Sequence, residues 1–220
     1  MIRLVAFDLD DTLYKEMDFV YGAFGEVCIY LSNKYSIKYE ELFHKCTDIL
    51  KLQGRGKIFN ILCEQYSINE SIERLIEIYQ NAVPVLKLYE DAEYLLMNIK
   101  NKVYTGIITD GKASVQWNKI KCLGLDEKID RILVTDAFGK AYWKPHCFAF
   151  EEMLRYFNIK SSEALYIGDN PNKDFVGARA VGYTTIRLIR EYGDHMTTRL
   201  EKHFEADHEI RDLREVLKYI

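Results

Sequence analysis

The chain has 220 residues, enough for one domain or for one core with an inserted subdomain, and a chain of this size buries about 70% of its unfolded surface on folding. Lys and Arg number 30 against 34 Asp and Glu, a net charge of −4, so there is no basic field to draw nucleic acid or an anionic membrane. Five scattered cysteines (Cys28, Cys46, Cys63, Cys122, Cys147) without a CxxC pair read as buried thiols in a reducing compartment rather than a disulfide framework or zinc knuckle. No apolar run approaches the length of a bilayer span, and the expectation is a cytoplasmic protein.

In chain order, "IRLVAF" comes first, short, β-rich and almost continuously apolar, as in a strand covered on both faces. Residues 15–84 carry four helical stretches ("FVYGAFGEVCIYLSNKY", "YEELFHKCTDILKL", "GKIFNILCEQY", "INESIERLIEIYQNA") and no convincing strand. Ala92, Leu95, Leu96 and Ile99 then mark a helix, followed by short strands at "KVYTGIIT", "RILVT", "EALYIG" and "YTTIRL", each separated from the next by a helical stretch. Pro145 fits the first turn of a helix through "PHCFAFEEMLRYF", and Gly182 is placed as a helix stop. The tail "ADHEIRDLREVLKYI" predicts a short strand or loop and then a terminal helix packed through Ile210, Leu213, Val216 and Leu217. Alternating strands and helices predict an α/β core with a mostly parallel sheet over 1–14 and 85–220, and an all-helical insertion over 15–84. An insertion through the first strand's C-terminal loop sits above the carboxyl edge of the sheet, where such folds bind ligands.

The chemistry gathers at strand ends. Asp8 and Asp10 follow the first strand, and two carboxylates so close call for a cation or a shared proton; Mg²⁺, which takes hard oxygen ligands and bridges carboxylates to phosphate, is one solution. A helix cap by Asp or Thr12 is the other reading of that segment. Asp169 and Asp174 repeat the arrangement in "ALYIGDNPNKD", and two such strand ends are harder to explain as caps. "GIITDG" puts Thr109 at a strand end and Gly111 where backbone N–H groups can meet an anion, although a plain D-G turn looks the same. Lys144 in "WKPHCF" is either a partner for phosphate or carboxylate, or a solvated charge.

Taken together, these segments resemble the haloacid dehalogenase-like (HAD) superfamily, in particular its phosphatases with a small helical cap after the first strand. The matches are Asp8, Asp10, Thr12 and Leu13; Thr109 and Gly111; Lys144 and Pro145; and Gly168, Asp169 and Asp174, in family order. The resemblance implies a Rossmann-like parallel sheet flanked by helices, with a cap that closes over the catalytic opening. It implies that Asp8 is the nucleophile and forms an aspartyl-phosphate, and that Asp10 protonates the leaving alcohol and then activates water. Thr109, Asp110 and Gly111 would line the phosphate site, with Lys144 offsetting the charge on Asp8 and phosphate. Mg²⁺ would be held by Asp8, Asp169 and the backbone carbonyl of Asp10, with Asp174 supporting the metal or orienting Lys144. Two positions depart from the commonest pattern: Asp11 stands where many relatives have glycine, and Asp110 where asparagine is frequent, adding a negative charge near the phosphate or pointing away.

The resulting expectation is an enzyme, a Mg²⁺-dependent phosphatase of a small phosphate monoester such as a sugar phosphate, a short-chain metabolite phosphate or a nucleoside monophosphate. Its partner is a small phosphorylated molecule, and the chain itself is a monomer or homodimer. An intramolecular phosphotransferase and a non-catalytic phosphate-responsive binding protein are the alternatives. Tyr14 is a candidate for substrate contact because it follows the catalytic loop. Arg55 and Lys57 in "KLQGRGKIF" suit either a second anionic group on the substrate or an ordinary turn between helices.

Overall fold

The chain forms two units, Met1–Glu16 with Leu86–Ile220 and Met17–Val85, and the computed structural model describes residues 1–220. Strand β1 (Leu4–Phe7) is buried at all four positions, as its unbroken apolar run requires of a strand covered on both faces.

From β1 the chain passes into the second unit through helices α1 (Glu16–Tyr35), α2 (Tyr39–Gln53), α3 (Ile58–Gln65) and α4 (Ile72–Asn81). Their buried faces meet in one apolar cluster that includes Val20, Phe24, Val27 and Leu31 from α1, Leu42 and Ile49 from α2, Leu62 from α3 and Leu75 from α4. Local signals agree with this packing. The α2 helix has Glu40 and Glu41 in its first turn and Lys51 in its last, complementing the helix dipole. Ser71 caps α4 by accepting from the Arg74 N–H at 3.2 Å. Ile68, read from the sequence as the start of this last helix, lies before it and is buried.

Back in the first unit follow α5 (Glu90–Ile99), β2 (Tyr104–Thr109), α6 (Ala113–Cys122), β3 (Arg131–Val134), α7 (Phe148–Phe157), β4 (Ala164–Gly168), α8 (Phe175–Val181), β5 (Thr184–Leu188) and β6 (His208–Ile210). The six strands form one sheet in the order β3-β2-β1-β4-β5-β6, and every pair is parallel. Val5 lies opposite both Thr105 of β2 and Leu165 of β4, so β1 is central. Chain order runs outward from β1 on one side and resumes at β4 on the other. The crevice at the carboxyl ends of β1 and β4 is therefore the topological switch point, the place where sheets of this kind take ligands.

Two expected elements differ. The helix through "PHCFAFEEMLRYF" begins at Phe148, not at Pro145, and Lys144 and Pro145 occupy the turn ahead of it. The terminal element is a 3-10 helix over Leu213–Lys218; it buries Leu213 and Val216 while Leu217 stays partly exposed. All five cysteines are free thiols, and no helix is long and apolar enough to cross a membrane.

Candidate active site

Strands β1 and β4 end side by side, and each is followed at once by an aspartate. Asp8, Asp169 and Asp174 thereby come together, each offering a carboxylate oxygen, with these atoms within 4.8 Å of one another. All three are buried, at 2%, 3% and 0% exposure. Asp174 reaches the group because Gly168 has no side chain: a Cβ there would stand 2.6 Å from Asp174 Cγ. Gly168→Ala is accordingly expected to displace the Asp174 carboxylate, lowering stability by about 1–3 kcal/mol and phosphatase activity with it. Thermal unfolding and initial rates on the purified variant check this.

Lys144 enters the same cluster from its turn. Its Nζ donates to Asp8 Oδ1, to Asp174 Oδ1 at 2.8 Å and to the Tyr166 hydroxyl at 2.9 Å, so three N–H donors meet three acceptors. The side chain is fully buried. Burial alone would favour a neutral amine, but the charges of Asp174 and Asp8 outweigh it and hold the ammonium well above its usual pKa. Tyr166, on β4, also lies 3.2 Å from Asp174 Oδ1.

The carboxylates differ in what surrounds them. Burial pushes Asp8 up to about 7, with Lys144 opposing. Burial pushes Asp169 up to about 9, reinforced by the charges of Asp174 and Asp8 and opposed by Lys173. Asp174 is also penalised by burial, yet Lys144 and Lys173 bring it below the ordinary range. With two of its three buried acids, Asp8 and Asp169, resisting ionisation, the group is short of positive charge. Hard oxygen donors in close array are the donor set of a divalent cation such as Mg²⁺, so the residues present fit that ion.

Asp10 stands apart from this group. Its Oδ1 accepts from the Tyr14 hydroxyl at 2.6 Å and from Lys119 Nζ at 2.8 Å, and its Oδ2 accepts from Gln116 Nε2 at 3.0 Å. Burial raises its pKa, but Lys119 and these hydrogen bonds overcome that and leave it lowered. The Asp10 carboxylate is thus held by its own donors, while the ligand expected from this residue is its backbone carbonyl; Asp174 joins Asp8 and Asp169 in the carboxylate cluster. Tyr14, expected to touch substrate, is fully buried with its hydroxyl on Asp10, so it bears on Asp10.

Thr109 ends β2 and is buried, its Oγ1 accepting from Gln116 Nε2 at 2.6 Å. Asp110 turns away: its Oδ1 accepts from Thr135 Oγ1 at 2.6 Å and from the Lys144 N–H at 3.1 Å, anchoring the turn that carries Lys144. Lys173 Nζ lies 3.9 Å from its Oδ2. Gly111 has φ of +121°, in the region that favours glycine. Asp11 also has a positive φ, 54°, which Asp tolerates better than most residues. Its carboxylate receives the N–H groups of Glu16 at 3.0 Å and Asp194 at 3.2 Å, bonds a glycine would lack. Arg55 and Lys57 belong to the second unit and are exposed. There Arg55 lines a cavity of about 280 Å³ with Val20, Phe24, Phe59 and Tyr79.

A profile of haloacid dehalogenase-like hydrolases matches residues 5–188. The chain belongs to this family. It is 30% identical to a glyceraldehyde 3-phosphate phosphatase of Methanocaldococcus jannaschii, over 100% of this chain and 97% of that one. It is 27% identical to a protein of the same name from Pyrococcus furiosus, over 100% and 93%. Among solved structures, a HAD phosphatase from Thermococcus onnurineus superposes with a TM-score of 0.64 at 26% identity, covering 99% of this chain and 97% of the other. The protein is an enzyme of the phosphatase branch of the HAD family, with the branch's parallel-sheet core and inserted helical cap. Its general chemistry is the family's metal-dependent phosphoryl transfer through an aspartate nucleophile.

Sequence reasoning missed Gln116, Lys119, Tyr166 and Lys173. The first two carried a faint signal: a helix opening at Ala113 whose inward face includes 116, 119 and 120 should be apolar there, yet two of the three are polar. Tyr166 was the one polar-tipped residue in an otherwise apolar strand.

Proposed function

We propose that the protein hydrolyses a small phosphate monoester, with a three-carbon sugar phosphate such as glyceraldehyde 3-phosphate as the leading substrate class. The observation that carries the hydrolytic reading is Asp8, which stands at the switch point with Lys144 on one oxygen and Asp169 and Asp174 beside it. The substrate class is supported by the two relatives of that activity, which align with this chain from end to end.

In this reading Asp8 attacks phosphorus, the bond to the leaving oxygen breaks, and Asp10 protonates that oxygen. Water then attacks the aspartyl-phosphate, Asp10 takes its proton, and the bond between phosphorus and Asp8 breaks. Asp10 thus recovers in the second step the proton it spent in the first. Thr109 and the N–H of Gly111 hold phosphoryl oxygens, and Lys144 balances the charge of Asp8 against that of the incoming phosphate. Asp8 and Asp169 would hold Mg²⁺, with Asp174 supporting them; when bound, the ion polarises the phosphate and screens it from Asp8. Asp110 acts on this site through the Lys144 backbone, and the core over 1–14 and 85–220 would do the chemistry while the cap over 15–84 selects the leaving group. Arg55 and Lys57 are the cap residues assigned to that selection.

Phosphate release from a panel of three-carbon, hexose and nucleoside monophosphates, with Mg²⁺ and with chelator, tests the reading. Turnover that requires the metal and is fastest on the three-carbon compounds is expected. Equal rates across the panel would reject the substrate class, and turnover unaffected by chelator would reject the metal.

A further inference from the structure

Gln116 is 2% exposed, and a buried amide must have its hydrogens used. Both are. One Nε2 hydrogen goes to Asp10 Oδ2 at 3.0 Å and the other to Thr109 Oγ1 at 2.6 Å. The orientation of the amide is fixed by chemistry, since its oxygen turned toward Asp10 would set two acceptors against each other. Because Thr109 Oγ1 accepts from the amide, its own hydrogen is directed elsewhere, free to donate to a phosphoryl oxygen. The other Asp10 oxygen is already taken by Tyr14 and Lys119, and Lys119 is one helical turn from Gln116 on the same buried face of α6. The backbone makes room for this: a Cβ at residue 111 would stand 3.3 Å from Gln116 Cγ.

We propose that Gln116 is a positioning residue for the reaction, one amide that holds the acid-base carboxylate of Asp10 and aims the phosphate-binding hydroxyl of Thr109. This rests on the functional reading above. Gln116 itself touches neither substrate nor metal, and it acts through the two groups it bridges.

A double-mutant cycle tests it. Gln116→Met keeps the length of the side chain and removes both donors; Thr109→Val removes the hydroxyl. For each single variant, the double variant and the wild type, competitive inhibition by inorganic phosphate in Mg²⁺ is measured beside kcat, KM and the unfolding temperature. Gln116→Met alone is expected to weaken phosphate about tenfold, the loss of one hydrogen bond to a charged group, and to lower kcat as well. In the Thr109→Val background the same substitution is expected to change phosphate affinity by less than about twofold, because the hydroxyl it aims is gone. Equal weakening in both backgrounds, or a fall in unfolding temperature with phosphate affinity and kcat unchanged, overturns the proposal. If Gln116→Met does not fold, Gln116→Leu, uncharged and likewise without the donors, takes its place in the cycle with the same expectations. A wild-type protein that neither releases nor binds phosphate overturns the functional reading and this inference together, whereas an active wild type with an additive cycle overturns this inference alone.

Discussion

Replacing Lys144 by methionine is expected to end turnover and to destabilise the fold by about 3–5 kcal/mol, the cost of leaving a buried charge without its partner. The size follows from the surroundings. The Lys144 ammonium is fully buried and serves Asp8, Asp174 and Tyr166 at once, so its removal strands two buried carboxylates. Burial already pushes Asp8 up to about 7 with the lysine in place, and without it the proposed nucleophile would be held in its protonated, unreactive form. Lys144→Arg keeps the charge, but a planar guanidinium cannot reproduce three convergent bonds from one nitrogen. That variant should fold better than the methionine and still lose most of the activity. Denaturant unfolding with and without Mg²⁺, beside steady-state rates, separates the two effects. Methionine tolerated with unchanged stability would show that the cluster does not depend on this cation.

Asp8→Asn is the second large effect. An amide of the same shape keeps the strand end and the packing, yet it is a poor nucleophile, and loss of the attacking group costs on the order of 10⁵ or more in kcat. Stability should change far less than in Lys144→Met, because the substitution removes a carboxylate from a cluster already short of positive charge. The contrast between a folded, inactive Asp8→Asn and a destabilised Lys144→Met is itself informative: it separates the residue proposed to react from the residue proposed to make its ionisation bearable.

The sheet was readable because its physics is local. The continuous, β-rich apolar run at β1 suits a strand buried on both faces, and an acid directly after such a strand lies at a carboxyl edge. The same reasoning placed Asp169. What the sequence obscured were contacts made across the chain. Asp10 meets Gln116 and Lys119 from 106 and 109 residues away, and nothing near Asp10 announces them. Asp174 was legible as an acid that the turn at Gly168 and Pro171 lets face the first group, and the structure shows the close approach that the bare backbone of Gly168 permits. Pro145 misled the placement of α7: proline suits a first helical turn, but it suits an irregular turn equally well, and here the turn is what points Lys144 inward. Asp110 and Asp11, both departures from the commoner pattern, turn out to be hydrogen-bonded anchors of neighbouring loops.

The central claim is that phosphate passes through Asp8, and the most direct test is to quench the enzyme with acid during turnover of a labelled three-carbon phosphate in Mg²⁺ and map the label by peptide. The account predicts a hydroxylamine-sensitive phosphoryl group on the peptide at Asp8, absent from Asp8→Asn and absent when the metal is chelated. Phosphate release that proceeds with no label on that peptide, or that persists in Asp8→Asn, would contradict it.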